Sequence, residues 1–245
     1  MTLLITGGSG KLGRELLKLA PSAYSPTHGE LDITDSQKVT QFILSNTIDV
    51  IVHCAALTSV RRCEESRQDA LAVNVEGTKN LVYGVAKKPQ SYFVYISTAC
   101  VFPGDQPDHF YDENDVPYPK NFYGLTKLLG EYIVKQTADL QRTLSTLIVR
   151  TNFVSRGKWP HPSAFVDRFG TYLYVDQVAA ALMRNVEERR TGVVHICGNK
   201  RISMYDIARL EDVRVEPMTL DKYRGPPLTV NMCLSSTIVP PLHFP

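Results

Sequence analysis

The chain has 245 residues, 43% of them hydrophobic and 21% charged, an ordinary globular balance with room for one large domain or a domain with a smaller lobe. A net charge of +2 without a polybasic block leaves no footprint for nucleic acid or a membrane surface. Five dispersed cysteines, Cys54, Cys63, Cys100, Cys197 and Cys233, lack C-x-x-C spacing, which points to free thiols in a reducing compartment rather than disulfides or a metal site.

The opening "MTLLITGG" has neither a basic leader nor a cleavage signal, and no apolar run approaches the length of a membrane span, so a cytoplasmic protein is expected. In chain order, short apolar runs alternate with helix-like stretches: "TLLIT" then "KLGRELLKLA", "DVIVHCAA" then "ALAVNVEGTKNLVYGVAKK", "SYFVYIST" then "YGLTKLLGEYIVKQ", "LSTLIVR", "VDQVAAALMRNV" and finally "GVVHIC". This alternation predicts an α/β fold with a doubly wound parallel sheet covered on both faces. Regularity fades after residue 150. We expect a cofactor-binding domain over 1–151, completed by about 171–197, and a small substrate lobe from 152–170 and 198–245.

The first motif is "TGGSGKLG", in which Gly7, Gly10 and Gly13 follow an apolar strand and open a helix, with Lys11 and Leu12 between the last two. Glycine at these points permits a tight turn and brings a pyrophosphate close to backbone N–H groups at the positive end of the helix. The second strand should end near "YSPTHGELDITD", where an acidic residue would hold a ribose hydroxyl and a basic one a phosphate. Glu30 and Asp32 lie at about the right distance, but "LDITD" reads equally as a turn with Asp32 or Thr34 capping the next helix.

In "YGLTK", Tyr123 and Lys127 lie one helical turn apart. Leu125, Leu128, Leu129, Tyr132 and Ile133 form the expected apolar stripe of that helix, leaving Tyr123, Lys127 and Val134 on another strip. Spacing alone fits a solvated surface as well as a catalytic pair. Context favours chemistry: the strand "YFVYI" ends at Ser97 and Thr98 and "VIVHC" at Ala55 and Ala56, where a parallel sheet has its crevice, and the long loop from Phe102 to Asn121 delivers Tyr123 there. A neighbouring ammonium and a nicotinamide cation should lower the phenol pKa, and Tyr123 could then pass a proton to a carbonyl oxygen that Thr98 polarises. His53 and His195 sit in predicted strands and read as supporting residues. Arg156, Lys158, Trp159, His161 and Arg168 form a cluster that reads either as a phosphate and base clamp or as a solvated basic loop.

Taken together, "TGGSGKLG", "ELDITD", "CAALTSVRRCEE", "AVNVEGTKNL", "STACVFPG", "YGLTK", "IVRTNFV", "YVDQVAAAL", "GVVHICG" and "RGPPLTVNMCLSS" resemble an extended short-chain dehydrogenase/reductase, most of all the dTDP-4-dehydrorhamnose reductase family. The resemblance implies a Rossmann-type sheet, NAD(P)H as cofactor, a nucleotide-sugar as substrate, and a possible homodimer. It implies Thr98, Tyr123 and Lys127 as catalytic residues, Asn74 as a support of cofactor or helix geometry, Asp32 and Ile33 near the adenine, Ala55, Ala56 and Leu57 along the cofactor, and Arg156, Trp159 and Arg168 toward the substrate. Departures are Ala99, where the family carries a carboxylate, Arg61, where it carries an acid, a short segment before "YVDQV", and an early end. A nucleotide-sugar epimerase or dehydratase, or a cofactor-binding regulatory subunit like that of methionine adenosyltransferase, are the alternatives.

Overall fold

A computed structural model describes residues 2–157 and 159–244. The chain order is β1 (Leu3–Thr6), α1 (Lys11–Leu19), α2 (Ser36–Ser45), β2 (Val50–His53), α3 (Val60–Glu65), α4 (Arg67–Leu71), a π-helical turn (Ala72–Glu76), α5 (Gly77–Ala86), β3 (Tyr92–Ile96), α6 (Phe122–Leu140), β4 (Ser145–Thr151), β5 (Phe153–Val154), β6 (Ser163–Phe165), β7 (Phe169–Gly170), β8 (Leu173–Tyr174), α7 (Val175–Glu187), β9 (Gly192–Ile196), β10 (Ile202–Ser203), α8 (Met204–Glu211), β11 (Glu216–Met218) and β12 (Asn231–Met232).

Five parallel strands form the central sheet in the order β1-β2-β3-β4-β9. The segment after α1 adds only one parallel bridge, Leu4 to Tyr24, on the outer side of β1. The chain therefore leaves β1 in opposite directions, and a crevice opens at the carboxyl ends of the strands where a doubly wound sheet binds its ligand. Alternate strand residues face two layers. Leu3, Ile5, Val52 and Val94 pack with Leu12 and Leu16 of α1 and with Val178 and Leu182 of α7. Leu4, Ile51, Phe93 and Ile148 pack with Val39 and Ile43 of α2, Leu81 and Val85 of α5 and Val134 of α6. Such strands are apolar on both faces, and for that reason they read as continuous apolar runs.

The single helix expected over 70–88 is broken into α4, the π turn and α5. α8, in a stretch of the sequence without visible regularity, packs through Ile207 and Ala208 into a third cluster with Val154, Ala164, Ile202 and Met232. The stripe expected on α6 holds only at Leu128 and Ile133, which are partly buried against the core. Leu125, Leu129 and Tyr132 are exposed, and the buried face carries Gly124, Lys127, Gly130, Glu131 and Val134. Two glycines dictate this. A Cβ at Gly124 would sit 2.2 Å from the Cys100 carbonyl oxygen, and one at Gly130 2.1 Å from Tyr95 Oη, so these two positions let the helix close on β3 and on the turn that follows it.

Candidate active site

The turn from β1 into α1 is made by its glycines. Gly7 has φ of +70°, and a Cβ there would lie 2.6 Å from Ala55 N; one at Gly13 would lie 2.3 Å from Gly7 O. At Gly10, the N-cap of α1, only Gly7 O comes near, at 3.1 Å, and no side chain caps the helix. The first-turn N–H groups are thus free to meet an anion at the positive end of the helix. Two recesses meet at this loop. One, of about 430 Å³, is lined by Ser25, Thr27, Asp32, Ile33, Ala55 and Leu57. The other, of about 440 Å³, is lined by Lys11, Leu12, Thr98, Tyr123 and Lys127, with Ala56 between them. A dinucleotide fits this layout: its pyrophosphate on the loop, one nucleoside in each recess.

Asp32 lines the adenosine-side recess with one of its two carboxylate oxygens already engaged. Asp32 Oδ1 accepts from Thr34 N and Thr34 Oγ1, at 2.9 and 2.8 Å, and Glu30 turns back to Thr27 N and Oγ1. The N-cap of α2 is Asp35, which accepts from Gln37 N and Lys38 N; neither Asp32 nor Thr34 caps it, because Asp32 is spent on its own turn. Ile33 is buried against Gly77. Asn74, in the π turn, accepts from Leu57 N at 2.7 Å and donates to Leu57 O and Thr126 Oγ1, fixing the loop after β2 to α6.

Thr98, Tyr123 and Lys127 come together in the second recess. Asn121 caps α6 by accepting from Gly124 N at 2.9 Å, and Glu64 accepts from Phe122 N, so the first turn, which carries Tyr123, is held from both sides. The rest of the 102–121 loop does not wall the crevice. It binds the C-terminal tail, chiefly through Glu113 to Ser236 and Thr237 and through the Asn231 amide to Gln106 O and His109 O. Burial pushes the Tyr123 phenol above its ordinary pKa, opposed by the hydrogen-bonding Thr98 hydroxyl. The expected lowering by Lys127 is not among the influences on this phenol, whose direction is set by desolvation of the phenolate.

Lys127 is buried, its Nζ 4.0 Å from the centre of the Tyr95 ring. Burial lowers its pKa to about 7, against the pull of Glu131. Glu131, one turn further along α6, was not singled out from the sequence, where it reads as an ordinary surface acid. It accepts from Ser97 Oγ and forms a buried ion pair with Arg150, at 2.7 Å. Arg150 Nη1 lies 3.4 Å from His195 Nε2, and His195 Nδ1 faces the Tyr111 and Ser235 carbonyls, which fits a neutral imidazole protonated at Nδ1. His53 lies between Thr6 and Thr78, its pKa lowered to about 3 by burial. Both histidines support the site without entering the crevice.

The basic cluster comes apart. Arg168 alone lines the crevice. Its Nε donates to Thr229 O at 2.9 Å, while Nη1 and Nη2 face the sulfurs of Met204 and Met232, poor acceptors that leave the guanidinium available. Arg156 instead stacks 3.8 Å over the Tyr174 ring and pairs with Asp176, in a separate recess with Lys11, Arg14 and Lys18. Trp159 packs into the lobe core and shares a recess with His161, Asp212 and Arg214. The short lobe folds these two away from the crevice, so the clamp is not assembled. Lys158 lies outside the described residues. In their place the crevice gathers Asn152 and Met232, which lie in the quoted stretches "IVRTNFV" and "RGPPLTVNMCLSS" without having been singled out, and Tyr172 and Met204, which no quoted stretch contains.

Known proteins are similar to this chain in sequence and in fold. A dTDP-4-dehydrorhamnose reductase of Mycolicibacterium smegmatis is 30% identical over 253 aligned positions, covering 91% of this chain and 74% of the relative. The methionine adenosyltransferase 2 subunit beta of Xenopus laevis is 29% identical, covering 84% and 69%. Among solved structures, a dTDP-4-dehydrorhamnose reductase of Bacillus anthracis in complex with NADP superposes with a TM-score of 0.83 at 25% identity, over 96% of this chain and 91% of that one. With a family model matching residues 1–221 of its 245, this chain belongs to the family described as the RmlD substrate binding domain.

Proposed function

We propose that the protein is an NAD(P)H-dependent reductase of a nucleotide-linked 4-keto-sugar, of the dTDP-4-dehydrorhamnose reductase type. The observation that carries this reading is the meeting of the Tyr123 phenol, the Thr98 hydroxyl and the buried Lys127 in the recess next to the glycine loop. The reduced nicotinamide, when bound, supplies the hydride. Thr98 donates a hydrogen bond to the substrate carbonyl oxygen, Tyr123 gives that oxygen its proton, and Lys127 holds the cofactor ribose while its charge steadies the phenolate left behind. Gly7, Gly10, Gly13 and the N–H groups of Lys11 and Leu12 cradle the pyrophosphate, with Asp32, Ile33, Ala55, Ala56 and Leu57 along the adenosine half. Arg168 offers its fork to the substrate diphosphate.

Among the described residues lining this recess there is no carboxylate and no imidazole, so a dehydratase, which must also take a proton from carbon, has no second acid or base to work with. Retention of Thr98, Tyr123 and Lys127 together supports turnover over a purely regulatory role.

Residues 1–151 with about 171–197 act as the cofactor unit, and 152–170 with 198–245 as the substrate lobe. Five unpaired cysteines support a cytoplasmic setting, and no helix among the described residues is long and apolar enough to cross a membrane. Two copies pair through the outer face of α5 and α6, where Tyr83, Leu125, Leu129 and Tyr132 are exposed on adjacent helices. The test of the reaction is oxidation of NADPH and NADH with dTDP-4-dehydrorhamnose. Tyr123→Phe is expected to lower kcat by about a hundredfold or more, and cofactor binding without turnover in the wild-type protein would refute the reading.

A further inference from the structure

One wall of the crevice, beyond the end of β4, holds three buried polar atoms without a partner: Tyr172 Oη, Asn152 Oδ1 and Thr151 Oγ1. Tyr172 and Thr151 are each 3% exposed. Buried polar groups are nearly always hydrogen-bonded, and an unpaired set on one wall of a ligand recess marks where a ligand supplies the missing partners. The set is held rigidly. Asn152 Nδ2 donates to Met232 O at 3.0 Å, and a Cβ at Gly170 would lie 2.7 Å from Asn152 Nδ2 and 2.9 Å from the Tyr172 ring, so the absence of a side chain at Gly170 seats the two together.

The chemistry of the set selects its ligand. Burial raises the Tyr172 phenol well above its ordinary pKa despite the nearby Arg168, so it stays a neutral donor. Asn152 Oδ1 can only accept. A phosphate oxygen satisfies the first and not the second, whereas a hydroxyl group both accepts and donates. We infer that Tyr172, with Asn152 beside it, reads a hydroxyl group on the sugar ring and makes the protein selective for keto-sugars that carry it. This role rests on the keto-sugar reading above. It divides the crevice by chemistry: Arg168 for the diphosphate, Tyr172 and Asn152 for the sugar, Thr98 and Tyr123 for the reacting carbonyl.

The experiment is calorimetric titration of the protein, saturated with NADP⁺, with dTDP-L-rhamnose and separately with dTDP. Tyr172→Phe should weaken dTDP-L-rhamnose by about tenfold while dTDP and NADP⁺ bind within about twofold of wild type. Asn152→Ala, with the same expectation, answers the question should Tyr172→Phe fail to fold. Equal affinity of wild type and variant for dTDP-L-rhamnose overturns the role of Tyr172, and so does an equal loss for dTDP, which would put the phenol on the diphosphate. Failure of the wild-type protein to bind dTDP-L-rhamnose at all removes the keto-sugar reading itself, and this role with it.

Discussion

Lys127 is an ammonium carried into the protein with no carboxylate within ion-pair distance among the described residues. Glu131 and Cys54 favour its charged form; His53, Tyr95 and Tyr123, the other titratable groups around it, are held neutral by burial. Desolvation prevails and its pKa falls to about 7. The sign follows. Below about pH 7 the site is cationic and ready to hold ribose hydroxyls; above it the free protein must take up a proton to bind. NADH affinity should therefore weaken as pH rises through 7 and 8. Lys127→Met should bind more weakly and independently of pH in a fluorescence titration; NADH is preferred because it lacks the titrating 2′-phosphate of NADPH. The same depression makes the charged lysine a burden on folding that is full below pH 7 and fades toward the ordinary lysine pKa. Lys127→Met is thus expected to raise the thermal midpoint more at pH 6 than at pH 9. A variant with an unaltered pH profile would show that Lys127 does not titrate in this range.

Helix α6 shows how an element is placed by its small residues rather than its large ones. Gly124 and Gly130 let it lie against the Cys100 carbonyl and the Tyr95 ring, which turns Lys127 and Glu131 inward and Leu125, Leu129 and Tyr132 outward. Glu131 then ties α6 to β3 through Ser97 and to β4 through Arg150. Breaking a buried pair leaves an uncompensated charge, so Glu131→Gln should cost about 3–5 kcal/mol in urea unfolding. The double variant Glu131→Gln/Arg150→Met should recover much of that. Equal stability of Glu131→Gln and wild type would mean that the pair is hydrated and not structural. The sequence already carried the helix, its start and the Tyr123–Lys127 spacing, because these are local. Which face turned inward was not legible, since it depends on Tyr95 and Cys100, brought in from a different strand and turn.

For the whole molecule, the outward turn of those apolar side chains has a consequence. Leu125, Leu129 and Tyr132 lie on α6 and Tyr83 on the neighbouring α5, an apolar face that a two-fold pairing of identical chains would cover. Leu129→Glu combined with Tyr132→Glu is expected to convert a dimer to a folded monomer in sedimentation velocity, with the fold unchanged by circular dichroism. A wild-type protein that sediments as a monomer at micromolar concentration would refute the pairing. The lobe is built on the same scale from distant pieces: β6 pairs with β11, and β7 with β10 and β12, across roughly 30 to 60 residues of chain.

The sequence by itself determined the alternation of strand and helix, the glycine turn and the three residues Thr98, Tyr123 and Lys127, because each is encoded within a few positions by backbone freedom, apolar periodicity or side-chain spacing. Only the tertiary structure decided what surrounds them. It sent Arg156 to Tyr174 and Asp176 and Trp159 into the lobe core, although both stood in a cluster that looked like a clamp. It brought Tyr172, which no local pattern marked, together with Asn152 and Met232, which lie in family-like stretches but were given no role there. Their meeting depends on long-range packing of a short lobe against the ends of the sheet, and that packing is set by the fit of all the pieces together rather than by any one stretch.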